Sequence, residues 1–218
     1  MTEHQRETEV KFCVRSLHAP VFAPVSRNMA AEAGRWSLIQ PRTFEVNLRF
    51  DTSHGDLRRA GRVLRLRKDE RARLTYKDQS RELGGAVGRR EIEFVVDDFD
   101  SARQLIEALG FEVVFVYEKY RSIFEHQGTC VMLDELPYGK FIEIEGELGT
   151  LRPVAEWLGL DWAKAIPASY HSLFERLRKS RGLTFRDLTF DNFRTVRVSP
   201  QDMSVDYADT PDLGRESR

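Results

Sequence analysis

Apolar and charged residues alternate along most of this chain with a period of two, the mark of β-strands whose two faces differ. In residues 6–14, Glu7, Glu9 and Lys11 fall on one face and Val10 and Phe12 on the other. The same alternation runs through 43–51, 62–68, 71–77, 89–96, 111–124, 129–135 and 140–147, so the pattern predicts eight strands. Glycine-containing turns separate several of them, at 51–55, 84–88, 127–128 and 137–139. Helical spacing appears at 100–109, which opens on Asp100 and is followed by Gly110, and again at 150–158 and 168–179. Residues 18–33 are read as helical in their second half, because Pro20 and Pro24 interrupt the first. The class that follows is α+β, an antiparallel sheet with flanking helices. Past Gly182 the pattern weakens. Residues 183–198 are expected to dock as an extra strand or short helix, and the polar stretch 199–218 to be mobile. The expected division is a body over 1–182 and a C-terminal extension over 183–218.

The polar faces of these strands are heavily charged. Arg65 and Arg67 share a face, with Leu64 and Leu66 opposed; Arg73, Thr75 and Lys77 share one, as do Glu91 and Glu93, Lys119 and Arg121, and Glu143 and Glu145. Two readings fit. The charges are the wet outer surface of a sheet packed over its core, or they line the inside of a closed barrel, and eight strands enclose room for one small ligand. In the second case the chemistry is specific. Carboxylates hold a hard divalent cation, and arginine and lysine hold phosphate oxygens.

Composition narrows the options. The 218 residues suit one domain with a tail, and 34 basic residues against 35 acidic ones give a net charge of -1. That balance lacks the basic excess of a general nucleic-acid surface, so no nucleic acid is expected as a partner. No apolar run reaches membrane-spanning length and the N-terminal residues are polar, so the expectation is no membrane association and a cytoplasmic location. Cys13 and Cys130 match no metal or redox spacing, the five histidines are scattered, and Trp36, Trp157 and Trp162 are read as packing residues. The acidic residues of the tail lack the pattern of a calcium loop.

Taken in order, the strand motifs resemble a known family. Glu7-Thr8-Glu9-Val10-Lys11 is similar to the ExExK opening of the CYTH proteins, also called triphosphate tunnel metalloenzymes. Phe50-Asp51-Thr52, Leu64-Arg65-Leu66-Arg67, Leu74-Thr75-Tyr76-Lys77, Arg90-Glu91-Ile92-Glu93, Glu118-Lys119-Tyr120-Arg121, Leu133-Asp134 and Phe141-Ile142-Glu143-Ile144-Glu145 follow in the family's order, so the likeness covers roughly residues 7–177. It implies a closed eight-stranded antiparallel β-barrel with charges pointing inward and a catalytic domain over 1–182. Val10 stands where small triphosphatases of the family carry arginine, so this opening looks more like the class IV adenylyl cyclase branch.

The resemblance implies Mg²⁺ or Mn²⁺ held by Glu7, Glu9, Glu143 and Glu145. It implies a triphosphate held by Lys11, Arg65, Arg67, Lys77, Lys119 and Arg121. Asp134, Lys77 and Lys11 are the expected catalytic residues, and Glu91 and Glu93 form a second metal site or pair with the bases. The expected substrate is a small triphosphate: ATP cyclised to cyclic AMP and pyrophosphate, or inorganic or thiamine triphosphate hydrolysed. A non-catalytic polyphosphate-binding module is the reading from another class. The outward apolar faces leave a homodimer as a further partner expectation.

Overall fold

In the computed structural model, which describes residues 6–17 and 36–209, the alternating segments are strands and their order closes on itself. They are β1 (Arg6–Val14), β2 (Ser37–Asp51), β3 (Val63–Lys68), β4 (Ala72–Lys77), β5 (Arg81–Leu83), β6 (Ala86–Val96), β7 (Glu112–His126), β8 (Thr129–Leu136) and β9 (Gly139–Glu145). Every pairing is antiparallel, in the order β1-β9-β8-β7-β2-β3-β4-β6-β5. Strand β6 also pairs with β1, Glu7 facing Arg89 and Glu9 facing Val87, which joins the first eight of these neighbours into a ring. Closure leaves no edge on the ring itself. The short β5 hangs outside it as a hairpin with β6. Gly88 sits where β6 serves both β5 and β1, and a Cβ there would lie 2.8 Å from Leu83 Cδ1.

All eight expected strands are present. Their ends differ by a few residues, except that β2 starts at Ser37. Pro41 lacks the N–H that a ladder uses, and β2 accommodates it through register shifts against β7 between Leu38 and Gln40 and between Gln40 and Thr43. β5 was not foreseen. The helices are α1 (Asp56–Arg59), α2 (Phe99–Ala108), α3 (Leu148–Trp157) and α4 (Tyr170–Arg181). Asp98 caps α2 by accepting from Ser101 N at 2.6 Å, and Ser169 caps α4 by accepting from Ser172 N at 3.1 Å. Gly182, at φ 63°, ends α4 in the left-handed conformation that suits glycine. The helix expected over 18–33 lies outside the described residues.

The apolar core is outside the ring and at one end of it, not in its middle. Val10, Phe12, Ile142 and Ile144 point outward and are covered by Leu151 and Ala155 of α3. Leu48, Phe50 and Leu66 point outward beneath Ile106 of α2. A third cluster fills one end of the barrel. Cys13, Phe115, Tyr117, Leu136 and Phe141 meet Tyr170, Leu173, Phe174 and Leu177 of α4.

The segment past Gly182 joins this third cluster. Residues 183–198 form turns and one isolated parallel bridge, Leu188 to Tyr117, and Leu188 and Phe193 are buried. Of the stretch expected to be mobile, Pro200–Met203 is a 3₁₀ turn, Met203 is buried, and Tyr207 bridges to Cys13. Three apolar side chains and two backbone bridges therefore anchor a piece whose average polarity pointed the other way. Residues 210–218 lie outside the description. Among the described residues no helix is long and apolar enough to cross a membrane.

Candidate active site in a charged tunnel

Because side chains two apart share a face, each strand sends one set of alternating residues into the ring. These sets are the charged ones. A cavity of about 400 Å³ runs inside, lined by Glu9 and Lys11 of β1, Arg65 and Arg67 of β3, Lys77 of β4, Glu91 and Glu93 of β6, Lys119 and Arg121 of β7, and Glu143 and Glu145 of β9. The residues whose charge was ambiguous in the sequence thus face one another across an enclosed space. Its volume is in the range of small-molecule sites.

The floor is a dense network of ion pairs centred on Asp134 and Glu143. Asp134 of β8 is wholly buried. Its Oδ1 accepts from Arg121 Nε at 2.6 Å, and its Oδ2 accepts from Lys119 Nζ at 2.9 Å, Arg121 Nη2 at 2.5 Å and the Tyr170 hydroxyl at 2.7 Å. Glu143 pairs with Lys11 at 3.0 Å and with Arg121. Burial alone would raise the Glu143 pKa, but Lys11, Arg121 and Lys119 hold it well below the usual carboxylate range. Glu45 of β2, also wholly buried, accepts from Asn47 Nδ2 at 3.0 Å and lies 3.5 Å from Lys119. Burial works against its charge too, yet Lys119, Arg121 and Arg67 bring its pKa down to about 2.

The walls are less saturated. Arg65 donates to the Tyr117 hydroxyl at 3.3 Å and Thr75 Oγ1 at 3.2 Å, and Glu93 reaches Arg65 at 3.4 Å and Arg67 at 3.3 Å. Thr75 Oγ1 donates to Glu93 at 2.7 Å. Lys77 pairs with Glu91 at 2.6 Å, and Arg89 with Glu9 at 3.2 Å. The Nε groups of Arg65 and Arg89 are buried without a hydrogen-bond partner. Both arginines line the cavity, and their guanidinium groups are suited to anionic oxygens. Arg67 is held below the ordinary guanidinium value by burial and by Arg65, an electropositive setting that an anion would relieve.

The sequence-derived site residues divide into five groups. Lys11, Arg65, Arg67, Lys77, Lys119 and Arg121 converge on one cavity. Glu9 and Glu145 face each other directly across the β1–β9 ladder, and both line the cavity, whereas Glu143 is engaged by Lys11 and Arg121. Glu7 is placed by its backbone opposite Arg89, and its side chain is outside the described residues. Asp134 does not line the cavity but lies beneath it, with both oxygens occupied. Glu91 and Glu93 are paired with bases.

Among the described residues no three His, Cys, Asp or Glu side chains form a ready cluster for a metal ion. Two facing carboxylates nevertheless fit Mg²⁺, which is usually bound through one or two carboxylates, its own waters and substrate phosphates. Glu9 and Glu145 offer that pair.

Sequence reasoning passed over Glu45, Asn47 and Arg49, although they alternate with Val46, Leu48 and Phe50 in the same way as the charged pairs it used. It also missed Tyr170, which reaches the floor from helix α4 and lies under two ammonium groups, Lys11 at 4.3 Å and Lys119 at 5.2 Å from the ring centre. No strand pattern marks that residue. His171, beside it, lines the cavity, and burial and Arg49 push its pKa down to about 4. Asp51 has a structural task. Its Oδ1 accepts from Thr52 N at 2.9 Å and Leu57 N at 2.8 Å and its Oδ2 from Arg58 N at 3.0 Å, which ties β2 to α1.

A closed antiparallel ring with an interior lined by charged side chains defines a class of fold, and comparison agrees. The CYTH domain family matches residues 5–156, and this chain belongs to that family. A Methanocaldococcus jannaschii protein named as a candidate adenylate cyclase is 27% identical over 110 residues, an alignment spanning 50% of this chain and 62% of that protein's length. The crystal structure of a candidate adenylate cyclase from Vibrio parahaemolyticus superposes with a TM-score of 0.65 at 24% identity, covering 79% of this chain and 99% of the other. A Pyrococcus horikoshii OT3 protein gives 0.59 at 24% identity over 75% and 96%. These structures share the fold. Helix α4 and everything after it lie beyond the matched residues.

Proposed function

We propose that this protein is a metal-dependent enzyme acting on a small triphosphate, in the manner of a class IV adenylyl cyclase, converting ATP to cyclic AMP and pyrophosphate. The observation that carries the reading is the convergence of six cationic side chains and two facing carboxylates on one cavity inside a closed ring. Arg65, Arg67, Lys77 and Lys119 bind the phosphate chain, with Lys11 and Arg121 held from below by Glu143 and Asp134. Glu9 and Glu145 would hold Mg²⁺ or Mn²⁺, with Glu7 on the same strand face. A bound divalent ion supplies charge neutralisation at the phosphate oxygens and orients them. In cyclisation the ribose 3′ hydroxyl releases its proton to water as its oxygen bonds to the α-phosphorus, the bond from that phosphorus to the bridging oxygen breaks, and pyrophosphate leaves. Catalysis of this kind rests on positioning and electrostatics more than on covalent help. Lys11 and Lys77 stabilise charge on the phosphate oxygens as the bond breaks. Asp134 acts as a positioning residue, fixing Lys119 and Arg121.

Apolar side chains at one stretch of the lining, Ile39, Ile123 and Met132, favour a substrate with an organic substituent. The second reading is hydrolysis of inorganic or thiamine triphosphate at the terminal phosphorus. The opening of the tunnel past Arg49 and Arg89, through which water can reach a terminal phosphate, supports it. Product analysis separates the two. Purified protein is incubated with Mg²⁺ or Mn²⁺ and, separately, with ATP, inorganic triphosphate and thiamine triphosphate. Cyclic AMP with pyrophosphate from ATP is expected, and it should be lost in Glu145→Gln. Orthophosphate without cyclic AMP selects the hydrolase. No turnover of any substrate, or full activity in Glu145→Gln, overturns the catalytic assignment.

A further inference from the structure

The tunnel continues beyond the six cations assigned to the triphosphate. A second cavity of about 270 Å³ shares Glu9, Lys11, Arg49 and Arg89 with the first and carries Arg58 and Arg62 at its far side. Its lining holds five cationic side chains against one carboxylate. Arg89 is paired with Glu9 and Lys11 with Glu143, and Arg62 reaches the exposed Asp78 at 3.4 Å. Among the described residues no hydrogen bond or ion pair engages the side chains of Arg49 or Arg58. Arg49 is nonetheless largely enclosed. Burial, together with Arg89 and Arg65, lowers its pKa below the ordinary guanidinium value. Tyr117 and Asp51 act the other way, but an enclosed guanidinium with no hydrogen-bonded partner is costly to keep, and an anionic ligand offsets that cost. The position of Arg58 is built in, since its backbone N–H is held by Asp51 at 3.0 Å.

We propose that this arginine-lined mouth is an additional phosphate subsite, so that the tunnel grips a linear chain of four phosphates more tightly than a chain of three. The inference rests on the triphosphate reading above and extends it. The six cations assigned to the triphosphate hold three phosphates, and the fourth lies against Arg49, shared by both cavities, with Arg58 and Arg62 beyond it; their bidentate N–H pairs match phosphate oxygens. The ligand class is a linear tetraphosphate, inorganic or carried on an organic group at the opposite, apolar end.

The test is calorimetric titration of the full chain with inorganic tripolyphosphate and with inorganic tetrapolyphosphate, in chelator so that nothing turns over. Arg58→Ala/Arg62→Ala is measured beside the wild type, since both residues are exposed and neither contacts the core. The wild type should bind the four-phosphate chain about tenfold more tightly than the three-phosphate chain. In the double variant that ratio should fall to about twofold, with tripolyphosphate affinity changed by less than about twofold. Equal affinity for the two chains in the wild type, or a preference that persists in the variant, overturns the subsite while leaving the triphosphate reading intact. Failure of tripolyphosphate to bind at all overturns that reading and this one together.

Discussion

The decisive residues of the floor are those that hold other residues in place. Asp134 fixes Lys119 and Arg121, and Tyr170 occupies the fourth hydrogen bond on its carboxylate. A hydrogen bond to a charged, buried group contributes about 1.5–3 kcal/mol. Tyr170→Phe removes this one and keeps the ring, so urea unfolding should show a loss of that size, and a loss under about 0.5 kcal/mol would contradict the network's arrangement. Glu45 gives a pH signature. Its folded pKa of about 2 lies below its ordinary value of 4.5. A carboxylate depressed on folding contributes stability that is complete above the unfolded pKa and is lost as pH falls through the folded one. Between pH 4.5 and about 2 the wild type should lose stability that Glu45→Gln does not lose, read as a shallower pH dependence of the unfolding midpoint in the variant.

Helix α4 covers part of one end of the ring, beside the opening at Arg49 and Arg89. Its buried residues Leu173, Phe174 and Leu177 pack against the barrel end where the inward strand faces change from charged to apolar, as along β1 from Glu9 and Lys11 to Cys13. Phe174 stacks on Phe115 at 5.7 Å between ring centres and touches Phe185 and Phe193 of the following segment. Truncating a large aromatic in such a site costs about 3–5 kcal/mol. Phe174→Ala should reach that range in denaturant unfolding, and a cost near that of a surface substitution would show that the plug does not bear on the barrel. The strands were legible because a period of two survives in the sequence whichever side faces water, and α2 was legible from its helical spacing, although its cap is Asp98 and not Asp100, where that spacing opens. Helix α4 was legible from its helical spacing; the ordering of 199–209 was not, because its apolar residues are too sparse to set a period and the burial of Met203 depends on a surface that exists only once the ring has closed.

At the scale of the whole molecule, the central fact is an inversion. The faces that ordinarily meet water point inward, and the apolar faces pack outward under α2 and α3. Alternation alone fixed the membership of each face and left its direction open. The ordered resemblance of the motifs pointed inward, and the β1–β6 ladder closes the ring that makes inward mean enclosed. Of the site, the cations and the facing pair Glu9 and Glu145 were legible. The burial of Asp134 beneath the cavity, the engagement of Glu143 by Lys11 and Arg121, and the part played by Tyr170 were not, because each depends on distances between strands far apart in sequence.

The measurement that bears most directly on the proposal that this inverted interior grips phosphate is a metal-free calorimetric titration of inorganic tripolyphosphate into the wild type and Arg65→Ala/Arg67→Ala. One-to-one binding to the wild type, weakened about tenfold or more in the variant, is the expected result for bidentate guanidinium contacts. Equal affinity in the two proteins, with the variant still folded by circular dichroism, would show that the wall arginines do not hold phosphate.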